Sequence, residues 1–424
     1  MSLHPRFALV VALVAFALLA PAAQAVPPFL SAWGTKGAGD GQFDTPDGLA
    51  TDSAGRVFVA DRSNDRVQVF LADGTFQASW KAGLGLRSPY GVAVDDRGSV
   101  YVIDNGNNQV VQLNLLGGMV RTWGTKGVGD GQFDDPRGIG VGPDGTVYVA
   151  DHGNNRVQAF TADGQFVRKW GRNGGDGSSG SGPGEFNEPR GVVTDPAGNV
   201  YVVEKLNNRV QEFTPDGQFI TAFGGLGKGP GQLSLPYTAA IDPASGSIYV
   251  TEVNNDRVSQ FGLDGSFVAK WGRNGGDGSE GSAPGEFHDP YGIAVDCRGG
   301  VYVSDEENDR IQRFGDPTAP FPSCAPAVQV TSVRAGARGA SLRALCDRAC
   351  SLYATAKAGV DGAKPVALKA GTALMGGRPD RLTLRYPAGL RRAVHRGRAQ
   401  RLTLRISAVG MGGAAPTVVK QVAL

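Results

Sequence analysis

One ten-residue phrase occurs six times, and its spacing restricts the fold more than any bulk property does. The copies are Asp61–Phe70 (Asp-Arg-Ser-Asn-Asp-Arg-Val-Gln-Val-Phe), Asp104–Leu113, Asp151–Phe160, Glu204–Phe213, Glu252–Phe261 and Asp305–Phe314. Their first residues lie 43, 47, 53, 48 and 53 positions apart. Repeats of about 40–50 residues, each with several short strands, mark a β-propeller with one repeat per blade. The phrase count predicts six blades and an all-β chain.

The third unit shows the blade pattern. Ile139–Val141 alternates as an inner strand, Val147–Ala150 is a second, Val157–Phe160 a third and Phe166–Trp170 a fourth. Pro143-Asp-Gly145 and Asp163-Gly164 supply turns between them. The sixth unit lacks a fourth strand, because Phe314 is followed by Gly315-Asp-Pro317. Phe29–Gly34 matches Phe166–Gly171 yet precedes the first unit. This N-terminal strand is expected to complete the sixth blade, which closes the ring and removes exposed sheet edges. Unit five carries Thr238 where the other entries have glycine, and a different entry turn is expected there.

The chain divides around these repeats. Residues 1–25 read as a signal peptide: Arg6, an apolar run from Phe7 to Ala20, and Ala23-Gln-Ala25 as a cleavage site. Cleavage after Ala25 and secretion are expected. Residues 26–315 form the propeller, and residues 316–326, with four prolines at 317, 320, 322 and 326, form a linker. Residues 327–424 lose the repeat, and their short alternating segments suggest a small β-sandwich. Residues 325–424 hold 17 Lys+Arg against 3 Asp+Glu, so this part is basic while the remainder is acidic. A basic domain suits an anionic cell envelope. An acidic, exported propeller is a poor match for nucleic acid, whose binding depends on attraction to phosphate. A monomer is expected. Four cysteines in an exported chain suggest two disulfides; proximity favours Cys346–Cys350 and Cys297–Cys324.

The Pro-x-Gly entry, the Val-Tyr-Val-Ala-Asp strand and the Asn-Asn-Arg-Val-Gln-x-Phe strand together resemble the NHL-repeat family. The likeness runs from about residue 29 to 315 and is weakest in unit two, where Gln109 replaces arginine. It implies a six-bladed propeller. It does not imply one activity, since relatives include receptor sensor domains, RNA- or protein-binding modules and a metal-dependent lyase.

Residues that recur in every unit are expected to be scaffold. Asp61, Asp151 and their counterparts open each phrase, five residues before Arg66, Arg156, Arg209, Arg257 and Arg310, and a hydrogen-bonded pair across the bend explains the repetition. Recognition is expected where units differ. The residue after each entry proline varies, as Asp47, Tyr90, Arg137, Arg190, Tyr237 and Tyr291, and should ring the mouth of the central channel. Such side chains are frequent binding hot spots. The expected function is therefore a non-catalytic exported scaffold for a protein, peptide or glycan. The alternative is a metal-dependent lyase or hydrolase in the channel. Against it, only His152 and His288 lie in the propeller, short of the three ligands that catalytic zinc needs. The repeated loops Trp170–Ser178 and Trp271–Ser279 offer Asn173, Asp176, Asn274 and Asp277 to Ca²⁺, but without EF-hand spacing. No catalytic set and no cofactor are expected.

Overall fold

The computed structural model describes residues 26–316 in full and, beyond them, the backbone of strands between residues 328 and 423. Residues 1–25, read as a signal peptide, and the expected linker after residue 316 lie outside the described residues. Residues 26–316 form a six-bladed propeller of six antiparallel four-stranded sheets. In blade one the strands are Pro46–Thr51, Val57–Asp61, Arg66–Phe70 and Phe76–Trp80, from the channel outward. Blades two to five repeat this order. Blade six joins Pro290–Val295, Val301–Asp305 and Arg310–Phe314 to Phe29–Trp33, with Phe29 opposite Phe314 and Trp33 opposite Ile311.

Each entry proline pairs with the carboxylate residue that opens the phrase, as Pro46 does with Asp61 and Pro136 with Asp151. Entry residues and phrase bends therefore gather at one end of the channel, termed the upper face here.

Apolar side chains fill the spaces between blades. Phe58, Val67 and Trp80 of blade one pack with Val92, Val100 and Val102 of blade two. The outer-strand tryptophan of one blade also lies on the hairpin glycine of the next. A Cβ on Gly117 would stand 2.5 Å from Trp80, and one on Gly164 would stand 2.7 Å from Trp123. Both glycines also have a positive φ, of 81° and 77°, so turn geometry and packing select the same residue.

The innermost strands approach even more closely. A Cβ on Gly138 would collide with the carbonyl oxygen of Arg190, and one on Gly292 with that of Asp47. This explains the glycine two residues after the entry proline in five of the six blades. Thr238 in blade five does not change the entry as expected: Pro236 pairs with Glu252 and Ala239 with Val250, the register of blade one. The next blade is met there by a hydroxyl, as Thr251 Oγ1 donates to the Tyr291 carbonyl at 2.6 Å.

Beyond the propeller, Val328–Gly336, Gly339–Cys346 and Asp380–Arg385 form one antiparallel group. Cys350–Val360, Ala363–Leu374, Ala399–Gly410, Gly413–Ala414 and Val418–Ala423 form another. Cys297 lies in the turn after Val295; Cys324 and the side chains of Cys346 and Cys350 lie outside the described residues.

Because backbone rather than a flexible side chain meets the added methyl, Gly138→Ala is expected to destabilise the propeller by about 1–3 kcal/mol. A denaturant titration monitored by tryptophan fluorescence measures this; an unchanged midpoint would refute the close-approach argument.

Candidate functional site

The repeated carboxylates are fully engaged. Asp61 accepts the Asp44 backbone N–H at 2.9 Å, Asn64 Nδ2 at 3.0 Å, Arg66 Nε at 2.6 Å and Gln68 Nε2 at 3.1 Å. Arg66 carries the network onward to the carbonyls of Ala38, Gly39 and Gln42. The Arg–carboxylate contact recurs as Arg156–Asp151 (2.7 Å), Arg209–Glu204 (2.6 Å), Arg257–Glu252 (2.6 Å) and Arg310–Asp305 (2.7 Å). In blade two Gln109 Nε2 donates to Asp104 instead, at 2.7 Å. Burial pushes Asp151, Glu204 and Asp305 upward against the pull of these donors. Their lone pairs are already used, which leaves them little to offer a ligand.

The six variable residues converge at the upper end of the channel. Asp47, Tyr90, Arg137, Arg190 and Tyr237 line a cavity of about 230 Å³ that continues along the inner strands. Tyr291 stacks on Tyr237 with ring centres 4.1 Å apart and an angle of 15°. Asp47 is buried beneath them and accepts the Tyr237 hydroxyl at 2.7 Å. Burial raises the Asp47 carboxyl, and the nearby Arg62 charge opposes that rise.

The six positions alone do not account for the mouth. Arg62 reaches Asp47 at 3.5 Å and Glu306 at 3.2 Å, and donates to the Tyr90 hydroxyl at 3.2 Å. It also lies over the rings of Tyr90 and Tyr291, at 5.1 Å and 5.7 Å. Arg62 directly follows the repeated carboxylate, and its counterparts are Asn105, His152, Lys205, Val253 and Glu306. A third variable set precedes each proline: Thr45, Ser88, Asp135, Glu188, Leu235 and Asp289, all at positive φ. Both sets were readable as variable neighbours of invariant residues.

Charges on this face are sorted by blade. Around blades three and four, Arg137 pairs with Asp135 at 2.7 Å and Lys205 with Glu188 at 3.1 Å. His152 sits between, 3.1 Å from Asp135 and 3.4 Å from Glu188, at angles that fall short of hydrogen bonds. Burial resists ionisation of Asp135, but His152 and Arg137 hold its carboxyl well below the usual range. Around blade six, Asp289, Glu306 and Glu307 place oxygens within 4.8 Å of one another. Burial, opposed by the Arg62 charge and reinforced by the Glu307 and Asp47 carboxylates, lifts Glu306 to about 7.

The histidine candidates for a metal are not brought together. His288 is half-buried and faces Glu280 at 3.2 Å, away from the partners of His152. Among the described residues no three-histidine set forms, so a histidine-held zinc does not fit. The loop carboxylates are occupied locally. Asp176 accepts Ser178 N and Oγ and Asn173 Nδ2, and Asp277 accepts the same three donors from Ser279 and Asn274. These loops are Asx turns, and the oxygens weighed as Ca²⁺ candidates accept hydrogen bonds within the loop.

The NHL repeat signature matches residues 43–70, 86–113, 133–160 and 287–314, and that of a 6-bladed beta-propeller matches residues 192–271. The chain carries NHL repeats in a six-bladed propeller. It is 54% identical over 44 residues to Protein lin-41 of Caenorhabditis elegans, covering 10% of this chain and 4% of that protein. It is 46% identical over 55 residues to NHL repeat-containing protein 3 of Homo sapiens, covering 12% and 16%. The chain thus spans a small part of the length of these curated relatives. A solved protein of unknown function from Bacteroides thetaiotaomicron shares the fold, with a TM-score of 0.51 and 19% identity over 67% of this chain and 74% of that one.

Two outcomes are expected. Arg257 and Glu252 are both fully buried, so Arg257→Ala strands a charge and costs about 3–5 kcal/mol; equilibrium unfolding measures it. Glu306 has a folded-state value raised above its unfolded one, so its contribution is present below about 4.5 and is lost as pH rises through about 7. Glu306→Gln should therefore flatten part of the decline in melting temperature across that interval, and an unaltered profile would contradict the assignment.

Proposed function

We propose that this chain is an exported binding module that holds a protein or peptide segment on the upper face of its propeller. One observation carries the reading. In every blade the repeated polar side chains are consumed by the scaffold, while the three positions that differ between blades meet around a single channel mouth. A repetitive frame with its variation gathered at one place is how a common fold acquires one specificity.

The chemistry of the mouth favours a polypeptide over a glycan. Arg62 and Arg137 lie over the Tyr90 ring, Arg190 over the Tyr237 ring and Arg62 over the Tyr291 ring, and Tyr237 stacks on Tyr291. With an arginine over each of the three rings and two of the rings stacked on each other, the tyrosines offer less open surface as a platform for a sugar. What reaches solvent is charged: Lys205 and Glu188 on one side, Asp289 and Glu307 on the other. Such a face recognises polar and ionic groups along a peptide. The signal-like segment supports export, and the basic residues 327–424, read as a β-sandwich, would attach the module to an anionic envelope. Recognition rather than turnover is the reading, with neither metal nor cofactor in its mechanism.

The test uses the mature chain against an array of peptides from exported proteins. Lys205→Ala combined with Asp289→Ala should weaken captured peptides at least ten-fold, about 1.4 kcal/mol. Asp216→Ala, in an exposed hairpin at the opposite end, should leave affinity unchanged. Equal losses from both variants would remove the upper face from consideration.

A further inference from the structure

The stacked side chains at the mouth follow the ring of blades in a fixed order. Arg137 of blade three lies 4.5 Å from the Tyr90 ring of blade two. Tyr90 is followed by Arg62 of blade one, then Tyr291 of blade six, then Tyr237 of blade five. Arg190 of blade four ends the series, 4.3 Å from the Tyr237 ring. Among the described residues, no contact closes the circle between Arg190 and Arg137. The ring is open at one point, and an arginine stands on each side of the opening.

These two arginines are not equivalent. Arg137 is neutralised by Asp135, and Arg62 is neutralised by Asp47 and Glu306. Arg190 has no ion pair among the described residues, and its Nε is buried without a hydrogen-bond partner. The nearest carboxylates are already held: Glu188 by Lys205, Asp47 by Tyr237 and Arg62, Asp135 by Arg137 and Asn105. Leaving a buried guanidinium N–H unpaired is costly, because that donor has given up water and gained nothing. The fork of Arg190 is also fixed in place. Its guanidinium lies 4.3 Å over the Tyr237 ring, whose hydroxyl is tied to Asp47 and which stacks on Tyr291.

We infer that the opening between blades three and four is a carboxylate slot, in which Arg190 receives a carboxylate of the bound peptide through paired N–H···O bonds. The inference rests on the peptide-binding reading above and adds the group that is read. A guanidinium fork matches the two oxygens of a carboxylate, whereas an ammonium is repelled at a site flanked by two arginines and an amide offers one neutral acceptor in place of two charged ones. The carboxylate can be the end of a chain or an acidic side chain.

One peptide set made in three forms separates these sources: free C-terminal carboxylate, C-terminal amide, and C-terminal amide with an internal Glu. If the terminus is read, amidation should lower affinity for the mature chain at least ten-fold; if a side chain is read, the internal Glu should restore it. Arg190→Gln should abolish the preference for carboxylate over amide, and Arg190→Lys should retain part of it. Melting temperatures check that both variants fold; if Arg190→Gln does not, the amide comparison on the unaltered chain still decides. Peptides that bind equally in all three forms would overturn the carboxylate slot while leaving the binding module standing. No binding by any form would overturn both.

Discussion

A buried carboxylate that gathers donors from several chain segments is the interaction on which this propeller depends. Asp61 joins an entry backbone N–H, an Asn three residues on, an Arg five residues on and a Gln seven residues on. The Arg then ties in the loop that leads to the blade. Each blade thereby fixes its own upper loops before it meets a neighbour. A second link then runs between blades. The residue before each proline donates its N–H to a side chain of the preceding blade, as Ser88 does to Asp65 and Glu188 to Asn155. Polar atoms withdrawn from water are thus satisfied at nearly every bend, which a structure with so little helix to absorb its backbone groups requires.

The same economy explains the location of the variable residues. A blade can change the side chains immediately beside the carboxylate and the proline without disturbing either. Those neighbours point into a shared space at the channel mouth, where Arg62, Glu306, Lys205 and His152 meet the entry residues. Specificity and stability are carried by adjacent positions with little competition between them.

Much of this was legible in the residues. The six phrases announced the blades, and the displaced Phe29–Trp33 segment announced the closure, because repeat spacing and strand alternation are local signals. The position of the entry residues Asp47 to Tyr291 at the channel mouth was also legible, since they vary within a constant frame. Arg62 and Glu306 were missed because their role depends on two distant turns meeting over Asp47. Pairwise stacking, such as Tyr237 on Tyr291, likewise depends on the angle between blades. Thr238 misled for the opposite reason: it departs from the local pattern, yet blade five keeps the strand register of blade one. Periodic features travel along the chain and can be read there; contacts across the ring cannot.

The pairing of Phe29 with Phe314 also sets an order of events. Five blades can each complete themselves from consecutive strands as the chain emerges, but the ring has no closed state until the last repeat exists. Until then the first strand has no partner and the sixth blade has an open edge, the most aggregation-prone feature of an unfinished sheet protein. Once formed, this junction joins the two ends of the propeller, so pulling on the chain beyond residue 316 loads the blade that contains the first strand. Closure makes the molecule topologically circular while leaving it chemically linear.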